Sequence, residues 1–259
     1  MENLLGLVGL FLAGVIAGAI NSVAGGGSLI SFPSLIAYGI PSVIANATNT
    51  AVVWPGTVSS ALAYRHDLPR RRELLITLVV PSFIGGLLGA VVLVSTPESV
   101  FAHIVPFLIL FATLLFAASD WFKRLGKSNG DSNGTEHLNW ANGLWGFGFQ
   151  LFVATYGGYF GAGIGILMLA SLSVMGLRNI HRMNALKTVL GSIINGIALV
   201  YFILRGLIDW QFAIMMAVGA IIGGYAGARL SKRVNQRVLR AFIVGVGLLV
   251  SVWLFLKTV

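Results

Sequence analysis

Apolar residues in this chain come in long runs. They lack both the alternation of a half-buried strand and the narrow stripe of an amphipathic helix. Runs long enough to cross a ~30 Å hydrocarbon core as helix recur, for example at residues 74–94, 101–122 and 241–256. They are apolar on every side, whereas a membrane β-barrel needs alternating apolar and polar positions. The pattern predicts helices at 4–23, 28–38, 43–64, 73–95 and 100–122, then at 140–158, 161–176, 182–204, 210–229 and 237–257. Segment 28–38 is too short to span alone, and with its neighbour it reads as a re-entrant hairpin. The expected fold is all-α, a polytopic membrane helix bundle, and counts of seven to ten spans all fit the pattern.

The polar interruptions organise these helices. The longest, "KRLGKSNGDSNGTEHLN" at 123–139, is rich in Gly, Ser and Asn, as a flexible loop should be. It separates a first membrane repeat, 1–122, from a second, 140–259. "GGLLGA" at 85–90 answers "GGYAGA" at 223–228, and "GGGSL" at 25–29 answers "GAGIG" at 161–165. Asn49 falls on Asn184 when Gly56 is laid on Gly191. Charge then sets direction. The loop at 65–73 carries four Lys/Arg and its counterpart at 205–209 carries one. The loop at 95–99 carries none and its counterpart at 229–240 carries five. Under the positive-inside rule, equivalent loops lie on opposite sides of the membrane. The halves therefore read as two inverted five-segment repeats, a common transporter architecture. The 123–139 linker is then cytoplasmic and both termini lie outside.

Within that frame, "SVAGGGSLISFP" at 22–33 is out of place. Glycine costs about 1 kcal/mol against alanine in a helix interior. Irregular backbone at membrane depth is tolerated only where it is buried in protein or lines a cavity. Helices broken at matching positions of two repeats point to a substrate site. Gly25, Gly26 and Gly27 form one such break, and Gly161 and Gly163 the other. Each is followed by a new helix start, near Ser28 and near Ile164, and a helix N-terminus favours an anion. The other reading of these glycines is close helix packing through small residues, which is preferred for Gly85, Gly86 and Gly89.

Polar residues cluster around both breaks. Asn21 and Ser22 precede the first, and Asn46, Thr48, Asn49 and Thr50 open the next helix. The second half supplies Asn184, Lys187 and Thr188. The Asn and Thr residues act either on substrate or as caps and interhelical bonds. Lys187 lies about one and a half turns into its helix, and either snorkels to the interface or holds the anion's charge. The candidate substrate site is Asn21, Ser22, Gly25, Gly26, Gly27, Ser28, Asn49, Thr50, Gly161, Gly163, Asn184 and Lys187. Trp54, Gln150, Tyr156 and Tyr159 line the path or anchor at interfaces.

Composition narrows the function. Only 10% of residues are charged, against roughly 25% in a soluble domain. The net charge of +9 lies mostly in short loops, with no basic helix face to read nucleic acid. No cysteine is present, so disulfides and thiolate chemistry are excluded. The eight Asp and Glu all fall in loops or near helix ends, which argues against a buried carboxylate relay. His66, His103, His137 and His181 show no metal-ligand spacing. There is neither a phosphate-binding lysine loop nor a nucleophile–base pairing. The expectation is a non-enzyme without cofactor or metal. The flank Met1-Glu2-Asn3 lacks the basic region of a signal peptide, so the first segment is expected in the mature protein.

"GAINSVAGGGSLISFPSLIAYGIPSVIANATNTAVVWPGTVSSALAYR" resembles the first repeat of the TauE/SafE family, described as sulfite exporters. "GYFGAGIGILMLASLSVMGL", "NALKTVLGSIINGIALVYF" and "GGYAGARLSKRVNQRVLRAFI" resemble the second. The resemblance implies an inner-membrane, multi-pass secondary transporter for a small sulfur-containing anion such as sulfite or a sulfonate, coupled to an ion gradient. It carries over to Asn21, Gly25, Gly26, Gly27, Asn49, Gly161, Gly163, Asn184 and Lys187. An uncoupled anion channel and a non-transporting membrane scaffold are the competing readings. The expected partners are the anion and the lipid bilayer. A homodimer is the commonest assembly in general, and no residue pattern points to one.

Overall fold

The computed structural model describes residues 2–23, 26–68, 72–118, 140–175, 177, 180–230 and 236–258. Gly25 and the 123–139 linker lie outside the described residues. Among those described there is no strand. The first half contains α1 (Glu2–Val23), α2 (Ser28–Ala37), α3 (Ser42–Ala63), α4 (Arg72–Ser95) and α5 (Glu98–Ala117). The second contains α6 (Trp140–Tyr159), α7 (Ile164–Val174), α8 (Ile180–Leu204), α9 (Trp210–Leu230) and α10 (Gln236–Thr258). These bounds track the apolar runs closely. Helix α7 starts at Ile164 rather than 161, because Gly161 and Gly163 have φ of +76° and +77°, outside the right-handed helical region. Helix α5 ends at Ala117 rather than 122.

Helix directions follow from named contacts. At one end of the bundle Tyr38, just past α2, covers Gly6 of α1 and meets Phe212 of α9 with ring centroids 5.1 Å apart. There the Glu98 carboxylate accepts the N–H groups of Ser42 and Val43, so α5 caps the start of α3. At the same end Phe101 of α5 meets Tyr159 of α6, 5.5 Å between centroids. This end therefore gathers the N-termini of α1, α3, α5 and α9 with the C-termini of α2 and α6. The short connections 96–97 and 205–209 bring the C-termini of α4 and α8 there too. Helix α10 runs antiparallel to α5: Gly247 packs on Thr113, while Ser251 Oγ donates to the Pro106 carbonyl at 2.9 Å. Helix α7 runs against α6, with Met175 at Gly146 and Ile164 at Gly157. Each first-half helix thus runs opposite to its counterpart: α1 to α6, α2 to α7, α3 to α8, α4 to α9 and α5 to α10.

The tightest packing pairs α1 with α9 and α4 with α6, and exchanging the halves converts one pair into the other. Both pairs are built on glycine. A Cβ on Gly18 would strike the Ala220 carbonyl, and one on Gly223 the Val15 carbonyl. A Cβ on Gly89 would strike the Thr155 carbonyl, and Gly158 lies on Gly86. Small residues let backbones touch where no hydrophobic drive brings helices together in lipid. Gly85, Gly86 and Gly89 are therefore packing residues.

The interior is apolar, with Leu29, Phe32, Phe101, Phe202, Met168 and Leu172 almost fully buried. The outside is apolar as well: Ile76, Phe152, Leu204, Leu249 and Leu256 are all more than 60% exposed. An apolar surface of that kind fits hydrocarbon, not water. Ile76–Ser95, Glu98–Ala117 and Arg182–Leu204 are long and apolar enough to cross a membrane, and Gly6–Asn21, Trp210–Ala226 and Ala241–Leu256 are shorter apolar helices. The chain is a polytopic helical membrane protein. Helices α2 and α7 are half-helices of about 15 Å, half a ~30 Å core. Their C-termini point to opposite ends of the bundle and their N-termini start in its interior.

Candidate functional site

Helix α1 stops at Val23 and α2 restarts at Ser28. Across this break the Gly26 N–H donates to Asn21 Oδ1 at 3.4 Å. Gly26 takes φ +128°, and a Cβ there would lie 2.9 Å from Phe116 of α5. A Cβ on Gly27 would strike the Ala17 carbonyl, so α2 begins with its backbone against α1. The Leu29 and Ile30 N–H groups bond back to the Gly26 and Gly27 carbonyls at 3.0 and 2.9 Å. Part of the expected donor array at this helix start is thus used inside the break. Ser31 Oγ lies 2.5 Å from Asn49 Oδ1 and 3.2 Å from the Gly27 carbonyl, two acceptors for one proton. Asn49 is buried, and its Oδ1 accepts the Ser31 hydroxyl.

The second break has its own fastening. Tyr156 donates its hydroxyl to the Ala162 carbonyl at 2.7 Å, and Phe160 packs edge-on against Phe32 of α2 at 5.3 Å. Asn46 Nδ2 donates to the Tyr159 carbonyl at 2.9 Å. A Cβ on Gly163 would lie 3.3 Å from Ala112 of α5. Ala112 and Phe116 are one helical turn apart, so both half-helices start against the same face of α5, within about 6 Å along it.

Helix α8 lines this region with a polar stripe. Lys187, Gly191 and Asn195 recur every four residues and share a face. Lys187 Cδ lies 3.4 Å from where a Gly165 Cβ would stand, and Asn195 Oδ1 lies 3.7 Å from the same position on Gly161. Between them, Gly191 is buried yet a Cβ there would meet nothing within 4 Å. That is open space inside the protein, beside the start of α7. On α3 the matched residue, Gly56, faces Asn21 Nδ2 at 3.9 Å. Helices α3 and α8 meet here, with Trp54 Nε1 donating to the Ser192 carbonyl at 3.1 Å.

The structure brings Asn21, Gly26, Gly27, Ser28 and Asn49 together at the first break, and Gly161, Gly163 and Lys187 at the second. Thr50 bonds back to the Asn46 carbonyl at 3.0 Å, within its own helix. Asn184 lies three residues before Lys187, further from the break, and its carbonyl accepts the Thr188 hydroxyl at 3.1 Å. Ser22 ends α1, and its side chain lies outside the described residues. Ser31 and Asn195 were not anticipated, although Asn195 carried a signal, since it continues the Lys187–Gly191 spacing. Phe116 carried none, because an apolar residue in an apolar run says nothing of its partner. Among the described residues no group of His, Cys, Asp and Glu is placed to hold a metal.

The family model described as "Sulfite exporter TauE/SafE" matches residues 10–254 of this chain. A "Probable membrane transporter protein" of Haemophilus influenzae is 28% identical over 236 residues, covering 91% of this chain and 89% of the relative. The "Probable membrane transporter protein YfcA" of Escherichia coli K12 is 28% identical over 248 residues, covering 93% and 87%. The "Probable membrane transporter protein ORF9" of a Sinorhizobium species is 26% identical over 245 residues, covering 94% and 90%. No solved structure matches the chain.

Proposed function

Since the chain belongs to the TauE/SafE family, it is a membrane permease, and we propose that it is a secondary transporter of a small sulfur-containing anion, sulfite or a sulfonate. The observation that carries this reading is the open space at Gly191, bordered by Lys187, Asn195 and the start of α7. The start of α2 lies one turn of α5 away. Helix N-termini favour anions, and Asn49 places a buried amide beside the start of α2. We read the opposed directions of the five helix pairs as an inverted repeat, which allows such a site to open to either side in turn. The helix ends at Ala63, Arg72, Leu230 and Gln236 lie opposite Glu98, and the sequence between them is basic, which makes that end cytoplasmic in a bacterial inner membrane.

The test is thermal unfolding of the purified protein with sulfite, thiosulfate, methanesulfonate, sulfate, phosphate and acetate in turn. A bound ligand at about 100 times its dissociation constant adds roughly 2.7 kcal/mol. A sulfur anion should raise the midpoint, and Lys187→Gln or Asn195→Leu should remove the rise. Counterflow of the same anion in liposomes separates a carrier, which exchanges, from an uncoupled channel. If a folded protein responds to no anion at high concentration, the anion site is wrong.

A further inference from the structure

Away from the breaks, three polar side chains are sealed between α4, α6 and α7. Gln150, Ser82 and Ser171 are each fully buried. The Ser82 hydroxyl donates its proton to the Leu78 carbonyl at 2.7 Å. Its oxygen can therefore only accept, and it accepts Gln150 Nε2 at 2.9 Å. This fixes the amide: Gln150 Oε1 faces the other way, and among the described residues it has no partner. Ser171 Oγ is also buried without a partner among the described residues. Buried helix hydroxyls elsewhere in this chain, such as Ser82 and Thr113, bond back to the carbonyl four residues earlier. Ser171 does not.

Gln150 and Ser171 stand at neighbouring levels of two packed helices. Gly146 meets Met175 and Gly157 meets Ile164 across the antiparallel α6–α7 pair. Gln150 is one turn beyond Gly146, and Ser171 one turn before Met175, on the same two faces. Both oxygens have lone pairs to offer a cation, and Ser171 lies in the last turn of α7, where the helix dipole favours positive charge. The positions that match Gln150 and Ser171 in the first half are Gly14 and Leu35, which carry no side-chain oxygen.

We propose that Gln150 Oε1 and Ser171 Oγ supply neutral oxygen ligands to a binding site for a monovalent cation, sodium, with Ser82 acting as the positioning residue that turns the amide. The site stands on these atoms alone. Its role as the coupling-ion site rests on the transport reading above. Helix α7 then holds the anion at its N-terminus and the cation two turns away at its C-terminus, so each ligand favours the same placement of one short rigid element. Among the described residues no Asp or Glu lies deep in a helix to take a proton instead.

The experiment is thermal unfolding of the full chain in sodium, potassium or choline chloride at equal ionic strength, without substrate anion. Sodium should raise the midpoint saturably over choline, and Gln150→Leu should abolish the rise. Ser171→Ala removes an oxygen that bonds to nothing, so it folds, and it should weaken the sodium response at least tenfold. Equal midpoints in sodium and choline overturn the proposal and leave a buried water in the site. A sodium response that survives both variants places the ion elsewhere and overturns it too. Either result leaves the anion site untouched, because that is read from the anion series.

Discussion

Gly191→Ala and Gly191→Leu test the reading of the interior at its centre. A glycine inside a helix costs about 1 kcal/mol relative to alanine. At Gly191 nothing offsets the gain from adding a methyl, because the new Cβ meets nothing within 4 Å although the residue is buried. Gly191→Ala should therefore stabilise the protein by about 1 kcal/mol, a rise in midpoint of roughly 2–4 °C for a chain of this size. Gly89→Ala is the contrast. Its Cβ meets the Thr155 carbonyl and is 2.6 Å from the Tyr159 nitrogen, and overpacking of that kind costs about 1–3 kcal/mol. Two Gly→Ala changes in buried helix interiors should thus move the midpoint in opposite directions. Gly191→Leu extends the test to function. The side chain enters the space between Lys187 and Asn195, so the fold should persist while anion stabilisation and uptake are lost. The assay is a thermal scan with and without the anion, together with uptake into liposomes. A lower midpoint for Gly191→Ala refutes the open space. Full uptake by Gly191→Leu refutes its use.

Other expectations follow from single contacts. Ser31→Ala leaves Asn49 Oδ1 buried without its donor, and should lower stability by about 1–3 kcal/mol, read from denaturant or heat midpoints. Gly163→Ala places a side chain at φ +77°, which costs about 1–2 kcal/mol and should also weaken anion binding by displacing the start of α7. Glu98→Ala removes the cap on the Ser42 and Val43 N–H groups. It should cost about 1 kcal/mol and raise hydrogen exchange at those two amides, with exchange unchanged in α8.

The breaks could be read from the chain because they depend on local chemistry. Apolar runs and clustered glycines set where α2 and α7 begin, since a residue with positive φ ends a right-handed helix wherever it stands. The polar residues beside the breaks were legible for the same reason: an amide in an apolar run needs a partner or a task. The partner itself was not legible. Asn49 bonds Ser31, Asn46 reaches the Tyr159 carbonyl, and Gln150 turns away from both breaks toward Ser82. All three are polar side chains in apolar helices, and periodicity assigns a face without saying which helix lies against it.

Glycine marks the boundary between the two kinds of information. Gly89, Gly191 and Gly223 are alike in sequence, each a glycine within an apolar helix. The sequence by itself determined that the chain is a bundle of apolar helices with two interrupted segments, because burial in lipid and backbone stereochemistry act residue by residue. Only the tertiary structure decided that Gly89 and Gly223 press on a neighbouring backbone while Gly191 faces open space. A missing side chain permits both close contact and cavity, and the choice between them belongs to the helix on the other side.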